Sequence, residues 1–269
     1  MGASRRSRHP RRATSGTPAA GVRHGLARVL SKAGLCSRTE AARWIEAGRV
    51  QVHGRTVRDP EHPMGEGLRG VLIDGRAPTG PERFYLALNK PRGLVTTARD
   101  EQGRDTVYRC FDDSALPWLA PVGRLDRASE GLLLFSNDPV WASRVLDPHT
   151  GPDKTYHVQV DAVPDPAQLD ALCTGVEVEG EYLRAMSVTL LRSGGRTAWL
   201  QIVLDEGRNR QIRRLLGAFD LEVLRLVRVA IGPLALGGLG KGQWRMLGPA
   251  ERDALVPPRP PSTSGQVAA

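Results

Sequence analysis

Gly123-Arg124-Leu125-Asp126-Arg127-Ala128-Ser129-Glu130-Gly131 runs straight into Leu132-Leu133-Leu134-Phe135-Ser136-Asn137-Asp138. A polar loop bounded by two glycines opens into an apolar run of strand length. Four apolar residues in succession fit a buried strand. The carboxylate of Asp126, flanked by Arg124 and Arg127, therefore sits on a loop held by a rigid element, a frequent address for catalytic groups. Taken alone, an aspartate in such a loop is more often a turn or capping residue, so both readings stand at this point.

Working outward, further strand-like runs occupy Tyr85 to Leu88, Thr155 to Val160, Arg184 to Leu191, Thr197 to Leu204 and Leu221 to Ala230. Helical patterns are few, chiefly 166 to 174 and 209 to 218. Strands that do not alternate regularly with helices disfavour a doubly wound parallel sheet and predict an α+β fold with a mostly antiparallel sheet. In the second helical segment Arg210, Arg213, Arg214 and Gly217 share a stripe, while Ile212, Leu215 and Leu216 face the core. That basic stripe is either a solvated or phosphate-binding face or something closer to the chemistry.

Upstream, Leu26, Val29, Leu30 and Ala33 mark one face of a helix whose Arg28 and Lys32 share another. Gly34 ends it. Ser37 and Glu40 form the signature of a capping box for a second helix carrying Ala41, Trp44 and Ile45 inward. Gly48 stops that helix, and Val50, Val52 and Val57 flank a His53-Gly54 turn in a predicted hairpin. Val71-Leu72-Ile73 reads as the last strand of this unit. The expected organisation is a basic disordered tail over 1–23, a small helical and hairpin domain over 24–82, a main domain over 83–252 and a tail over 253–269, which is Pro, Ser and Gly rich from Pro257.

The 269 residues carry a net charge of +9, and six of the arginines fall in residues 1 to 23, where there is no acid. Such a balance suits a polyanionic partner. No apolar run approaches the roughly 20 residues needed to span a bilayer. Three scattered cysteines and six scattered histidines give no disulfide framework and no zinc pattern. Only four lysines occur against 34 arginines, so Lys90 and Lys154, both inside motifs, suggest positions that want a compact ammonium.

The stretch L-A-R-V-L-S-K-A-G-L-C-S-R-T-E-A-A-R-W-I-E-A-G-R-V-Q-V-H-G, residues 26 to 54, closely resembles the S4 RNA-binding domain. The string G-R-L-D-x-x-S-x-G-L-L-L-x-S-N-D resembles the signature of the RsuA/RluB-type pseudouridine synthases of bacterial ribosomal RNA. Asn89-Lys90-Pro91-Arg92-Gly93, Lys154-Thr155-Tyr156-His157-Val158, Glu206 to Arg214 and Arg228 to Leu234 match further motifs of that family in order.

The resemblance implies that Asp126 is the catalytic aspartate, with Arg213 as its cationic partner. Tyr156 would stack on the target base, and Arg124 would occupy the space left when the nucleotide is everted. For Arg124 a structural salt bridge with Glu130 is the competing reading. Arg28, Lys32, Arg38, Arg43, Arg49, Lys90, Lys154, Arg210 and Arg214 are the expected RNA contacts. Ala128 stands where the family commonly has Asp, and Ser129 replaces Thr. The expected function is isomerisation of a uridine in ribosomal RNA, large subunit rather than small, by a cytoplasmic monomer with no cofactor. A non-catalytic ribosome-assembly factor would not require Asp126, Tyr156 and Arg213 together. A hydrolase would want a second placed carboxylate or a magnesium site.

Overall fold

A computed structural model describes residues 24–256 apart from 66, 80, 81, 99 and 113. The basic tail 1–23 and residues 257–269 lie outside the described residues.

The small N-terminal unit runs β1 (His24–Gly25), α1 (Leu26–Lys32), α2 (Arg38–Glu46), β2 (Val50–Val52), β3 (Arg55–Thr56), β4 (Pro63–Met64) and β5 (Val71–Ile73). The apolar stripes of both helices close on the hairpin: Leu26, Leu30, Ala41, Ile45, Val50 and Val71 are at most 1% exposed. Ser37 caps α2 by accepting from the Glu40 amide at 3.0 Å. The Glu40 side chain does not complete the box, because it accepts from Trp44 Nε1 at 2.8 Å. His53 and Gly54 both take positive φ, 49° and 78°, the geometry of a two-residue hairpin turn.

The main unit runs β6 (Tyr85–Lys90), β7 (Ala120–Val122), β8 (Glu130–Ser136), α3 (Pro139–Val145), β9 (Lys154–Val160), α4 (Pro166–Thr174), β10 (Val176–Val178), β11 (Glu181–Leu183), β12 (Ser187–Ser193), β13 (Ala198–Leu204), α5 (Gln211–Gly217), β14 (Val223–Ile231), β15 (Leu234–Ala235), β16 (Trp244–Met246) and α6 (Pro249–Ala254). Its main sheet has the order β12-β13-β9-β14-β8-β6-β16, with β15 on β14 and β7 on β8. Every pairing is antiparallel except β14 with β8. The α+β, antiparallel-rich architecture is the one the strand spacing predicts.

All seven residues of β8 are buried. Leu133 and Phe135 enter one core with Leu88, Val158 and Leu216, while Leu132 and Leu134 enter a second with Trp141, Val145 and Ile231. Strand periodicity divides the apolar run between two layers. In β9 only alternate residues are buried, so that half of the sheet covers a single core.

Several boundaries differ from expectation. The strand predicted from Arg184 starts at Ser187, because β10 and β11 fold first into a separate hairpin over Glu179-Gly180, at φ 52° and 79°. Strands of three residues are too short for alternation to register. The helix α3 was also unanticipated, though Asp138 caps it and Pro139 fills its first turn. The C-terminal tail does not begin at 253: Asp253 and Ala254 complete α6, and Leu255 is 1% exposed in the second core. Among the described residues no helix is long and apolar enough to cross a membrane.

Candidate active site

The loop before β8 is fastened from behind. Gly123 and Gly131 take φ 77° and 99°, conformations that favour glycine. Between them the Ser129 amide donates to Asp126 O at 3.0 Å and closes a turn. Lys90, wholly buried, donates its ammonium to the carbonyls of Pro91, Asp126 and Ser129 at 3.1, 3.2 and 2.8 Å. Thr96 Oγ1 donates to Leu125 O at 2.7 Å, and Gly93 N donates to Arg127 O at 2.8 Å. The Asn89-to-Thr97 segment thus acts as a clamp that presents residue 126. Burial pushes the Lys90 ammonium down to about 8 against the attraction of Asp126, Cys110 and Glu130.

The loop forms one wall of a cleft of about 440 Å³, whose lining includes Arg124, Asp126, Lys154, Tyr156, Arg210, Arg213 and Arg228. Sheet register supplies its base. Arg228 pairs with Tyr156 across β14 and β9, and with Gly131 across the parallel junction to β8. Gly131 is required there, since an added Cβ would lie 2.3 Å from Arg228 O. The opposite wall is the start of α5. Buried Gln211 organises it, accepting from the Arg208 amide at 3.1 Å and donating to Glu206 Oε1 at 2.8 Å and Arg184 O at 3.2 Å.

Electrostatically the site departs from expectation at Arg213. The guanidinium within ion-pairing reach of Asp126 is Arg210, at 3.9 Å. Arg210 caps α5 in a left-handed conformation, φ 49° and ψ 30°, so it leaves the predicted helical stripe and turns toward the loop. Arg213 lines the same cleft, donates to Val223 O at 3.1 Å, and keeps a buried Nε with no partner. Burial, and then the charge of Arg210, lower its affinity for a proton, while Asp126 opposes them.

Other expected residues sort clearly. Tyr156 is 8% exposed and lines the cleft; Arg124 is exposed at its edge. Glu130, the suggested partner of Arg124, is instead held by Arg225 at 2.7 Å and Lys241 at 2.9 Å. Lys90 cannot contact RNA, because it is fully enclosed and spends its protons on loop carbonyls. Arg214 is also withdrawn, being ion-paired to Glu179 and Glu181 on the β10–β11 hairpin. Lys154 is 9% exposed and lines the cleft.

On the small unit Arg28, Lys32 and Arg38 are exposed and have no ion-pair partner among the described residues. Arg43 pairs with Glu40 at 3.4 Å. Arg49 pairs with Asp74 at 2.6 Å and lies over the Trp44 ring. Sequence reasoning assigned no role to Arg228. Its signal was a charge in the middle of the apolar run Leu226 to Ile231, which a central strand tolerates only with a partner or a purpose. Among the described residues no cluster of His, Cys, Asp and Glu is placed to hold a metal ion.

Residues 84–218 match the family model for RNA pseudouridylate synthase, and residues 25–69 match the S4 domain. An uncharacterized RNA pseudouridine synthase of Aquifex aeolicus (strain VF5) is 37% identical, covering 83% of this chain and 90% of that protein. Ribosomal large subunit pseudouridine synthase B of Bacillus subtilis (strain 168) is 35% identical, covering 84% and 93%. Its namesake in Escherichia coli (strain K12) is 36% identical, covering 90% and 86%. A crystal structure of a pseudouridylate synthase superposes with a TM-score of 0.60 at 26% identity, covering 87% of this chain and all of that one. With the family's motifs gathered around one cleft and its models matched in order, the chain belongs to the RNA pseudouridylate synthases and carries an S4 domain ahead of the synthase domain.

Proposed function

We propose that this enzyme isomerises a specific uridine of ribosomal RNA, in the large subunit rather than the small, to pseudouridine. The names of the relatives from Bacillus subtilis and Escherichia coli support the substrate. The observation that carries the assignment is the clamped Asp126 loop facing Tyr156 and a row of cations across one cleft. In this reading Asp126 is the carboxylate that acts on the target nucleotide, and the ring of Tyr156 stacks on the everted base. Arg124 takes the vacated space in the RNA, and Arg210, with Arg213 lining the same cleft, supplies the positive charge that faces the carboxylate. Arg28, Lys32 and Arg38 on the S4 domain dock the RNA by phosphate contacts. The reaction is an internal rearrangement with no redox step, so it needs no cofactor.

The test is tritium release from ribosomal RNA labelled at uracil C5. Asp126→Ala abolishes release while RNA affinity stays within a few-fold, since affinity resides in the basic contacts. Unchanged release in that variant refutes the catalytic role. RNA binding by the natural sequence without any release would leave only a docking protein.

A further inference from the structure

The most deeply placed charges of the cleft are both cations, and neither is neutralised. Lys154 is 9% exposed and Arg228 6%, whereas Arg124, Asp126 and Arg210 are exposed at the rim. Lys154 lies two residues before Tyr156 on β9, and Arg228 is the cross-strand partner of Tyr156 on β14. Alternation along a strand therefore puts all three side chains on the face that lines the cleft. Arg228 donates its Nε to Leu132 O at 2.7 Å, but its Nη2 is buried with no partner. The Lys154 ammonium makes no hydrogen bond and no ion pair among the described residues. Asp205, on the cleft wall, pairs with Arg184 at 3.3 Å instead.

Two like charges buried side by side without a counter-ion oppose folding. Burial, and then repulsion from Arg228, lower the Lys154 ammonium from its ordinary value, and the attraction of Asp153 and Asp205 only partly offsets this. A site kept at such a cost is built for a negative charge that arrives with the ligand. A phosphate at this depth would leave the base outside the cleft, away from Tyr156. The group that reaches the floor is the everted base.

Resting on the isomerase reading above, we infer that Lys154 and Arg228 form the anion site that holds uracil by an exocyclic oxygen while it is detached from ribose. When C1′–N1 breaks, its electron pair leaves with the ring, and the charge spreads over N1, O2 and O4. C1′ is taken up by the Asp126 carboxylate, or C2′ loses a proton to it. The turned ring then returns its electron pair from C5 to C1′, while the C1′–oxygen bond to Asp126 breaks or, in the second case, Asp126 gives its proton back to C2′; the C5 proton then leaves, and N1 gains a proton. Cations placed before the reaction stabilise the charge that develops during it.

The experiment compares single-turnover loss of the N-linked nucleoside from ribosomal RNA carrying uridine or 5-fluorouridine at the target. The fluorine stabilises the ring anion and should lessen the need for the cations. Lys154→Met is expected to slow the uridine reaction about 100-fold and the 5-fluorouridine reaction about 10-fold, with RNA affinity within about twofold of the natural sequence. Arg228→Gln follows the same pattern. The ratio of the two rates within one variant does not depend on how much of it is folded, so a damaged variant still reports. Equal losses on both substrates, or a loss of RNA affinity in place of rate, overturn the inference. If the natural sequence itself leaves ribosomal RNA unchanged, the isomerase reading fails first, a separate result.

Discussion

Replacing Lys90 by Met tests the claim that a buried ammonium holds the Asp126 loop. The substitution keeps the bulk and deletes the donor to Pro91, Asp126 and Ser129. Asp126 O keeps the Ser129 amide as a donor, so the variant leaves the Pro91 and Ser129 carbonyls without one, at about 1 to 3 kcal/mol each. Against this, the fall of the ammonium from 10.5 to about 8 means that holding the charged form in the folded protein at pH 7 costs about 3 kcal/mol. The variant is therefore expected to be only about 1 kcal/mol less stable at pH 7.

The pH dependence is more telling than the offset. Above about pH 8 the folded protein releases this proton, while the unfolded chain keeps it to about 10.5. The unfolded state then binds more protons, so the contribution of Lys90 to stability rises with pH across that window. Urea unfolding of both proteins at pH 7 and pH 9 reads the effect, because other titrating groups cancel in the difference. The gap should widen by about 1 kcal/mol at pH 9. A gap that stays constant or narrows would refute the reasoning.

Three further outcomes are expected. Gly131→Ala puts a Cβ 2.3 Å from Arg228 O and 2.8 Å from Arg228 N at φ 99°, and should cost at least about 3 kcal/mol in thermal or urea unfolding. Gly123→Ala meets only the movable Leu146 Cδ2 at 2.9 Å and should cost about 1 kcal/mol. Arg210→Gly relieves a left-handed arginine but removes the cation beside Asp126; stability should stay within about 1 kcal/mol while tritium release falls about tenfold or more. Measured as log affinity against log salt, Arg28→Ala or Lys32→Ala should each lower the slope for RNA by about 0.7 to 0.9. Arg49→Ala should lower it less, since Asp74 already neutralises that charge.

Much of this architecture was legible because its signals are local. The caps and glycines around α1 and α2, the strand of leucines after the Asp126 loop, and the clean alternation of β9 each depend on a few neighbouring residues. What escaped was set by distant contacts. Nothing near residue 90 says that its ammonium will be enclosed, because the carbonyls it binds belong to residues 126 and 129 as well as 91. Arg210 looked like the first member of a helical stripe, yet a left-handed turn at the helix start gives it, and not Arg213, the ion pair with Asp126. Arg214 looked free until a hairpin too short to register brought Glu179 and Glu181 against it. Motif residues were found as a set, while the division of labour among them needed the tertiary structure.

The lone parallel pairing in the sheet, Glu130 beside Val227, joins segments nearly a hundred residues apart in the chain. Closing so long a connection is entropically slow, and it must precede the appearance of a complete site. A chain still being synthesised presents β8 and β9 with bare edges until β14 emerges to fill the space between them. Those edges are where a stalled or truncated product would pair with another molecule. Competence for RNA chemistry therefore arrives late in biogenesis and all at once, and partial chains should burden the chaperones without contributing any turnover.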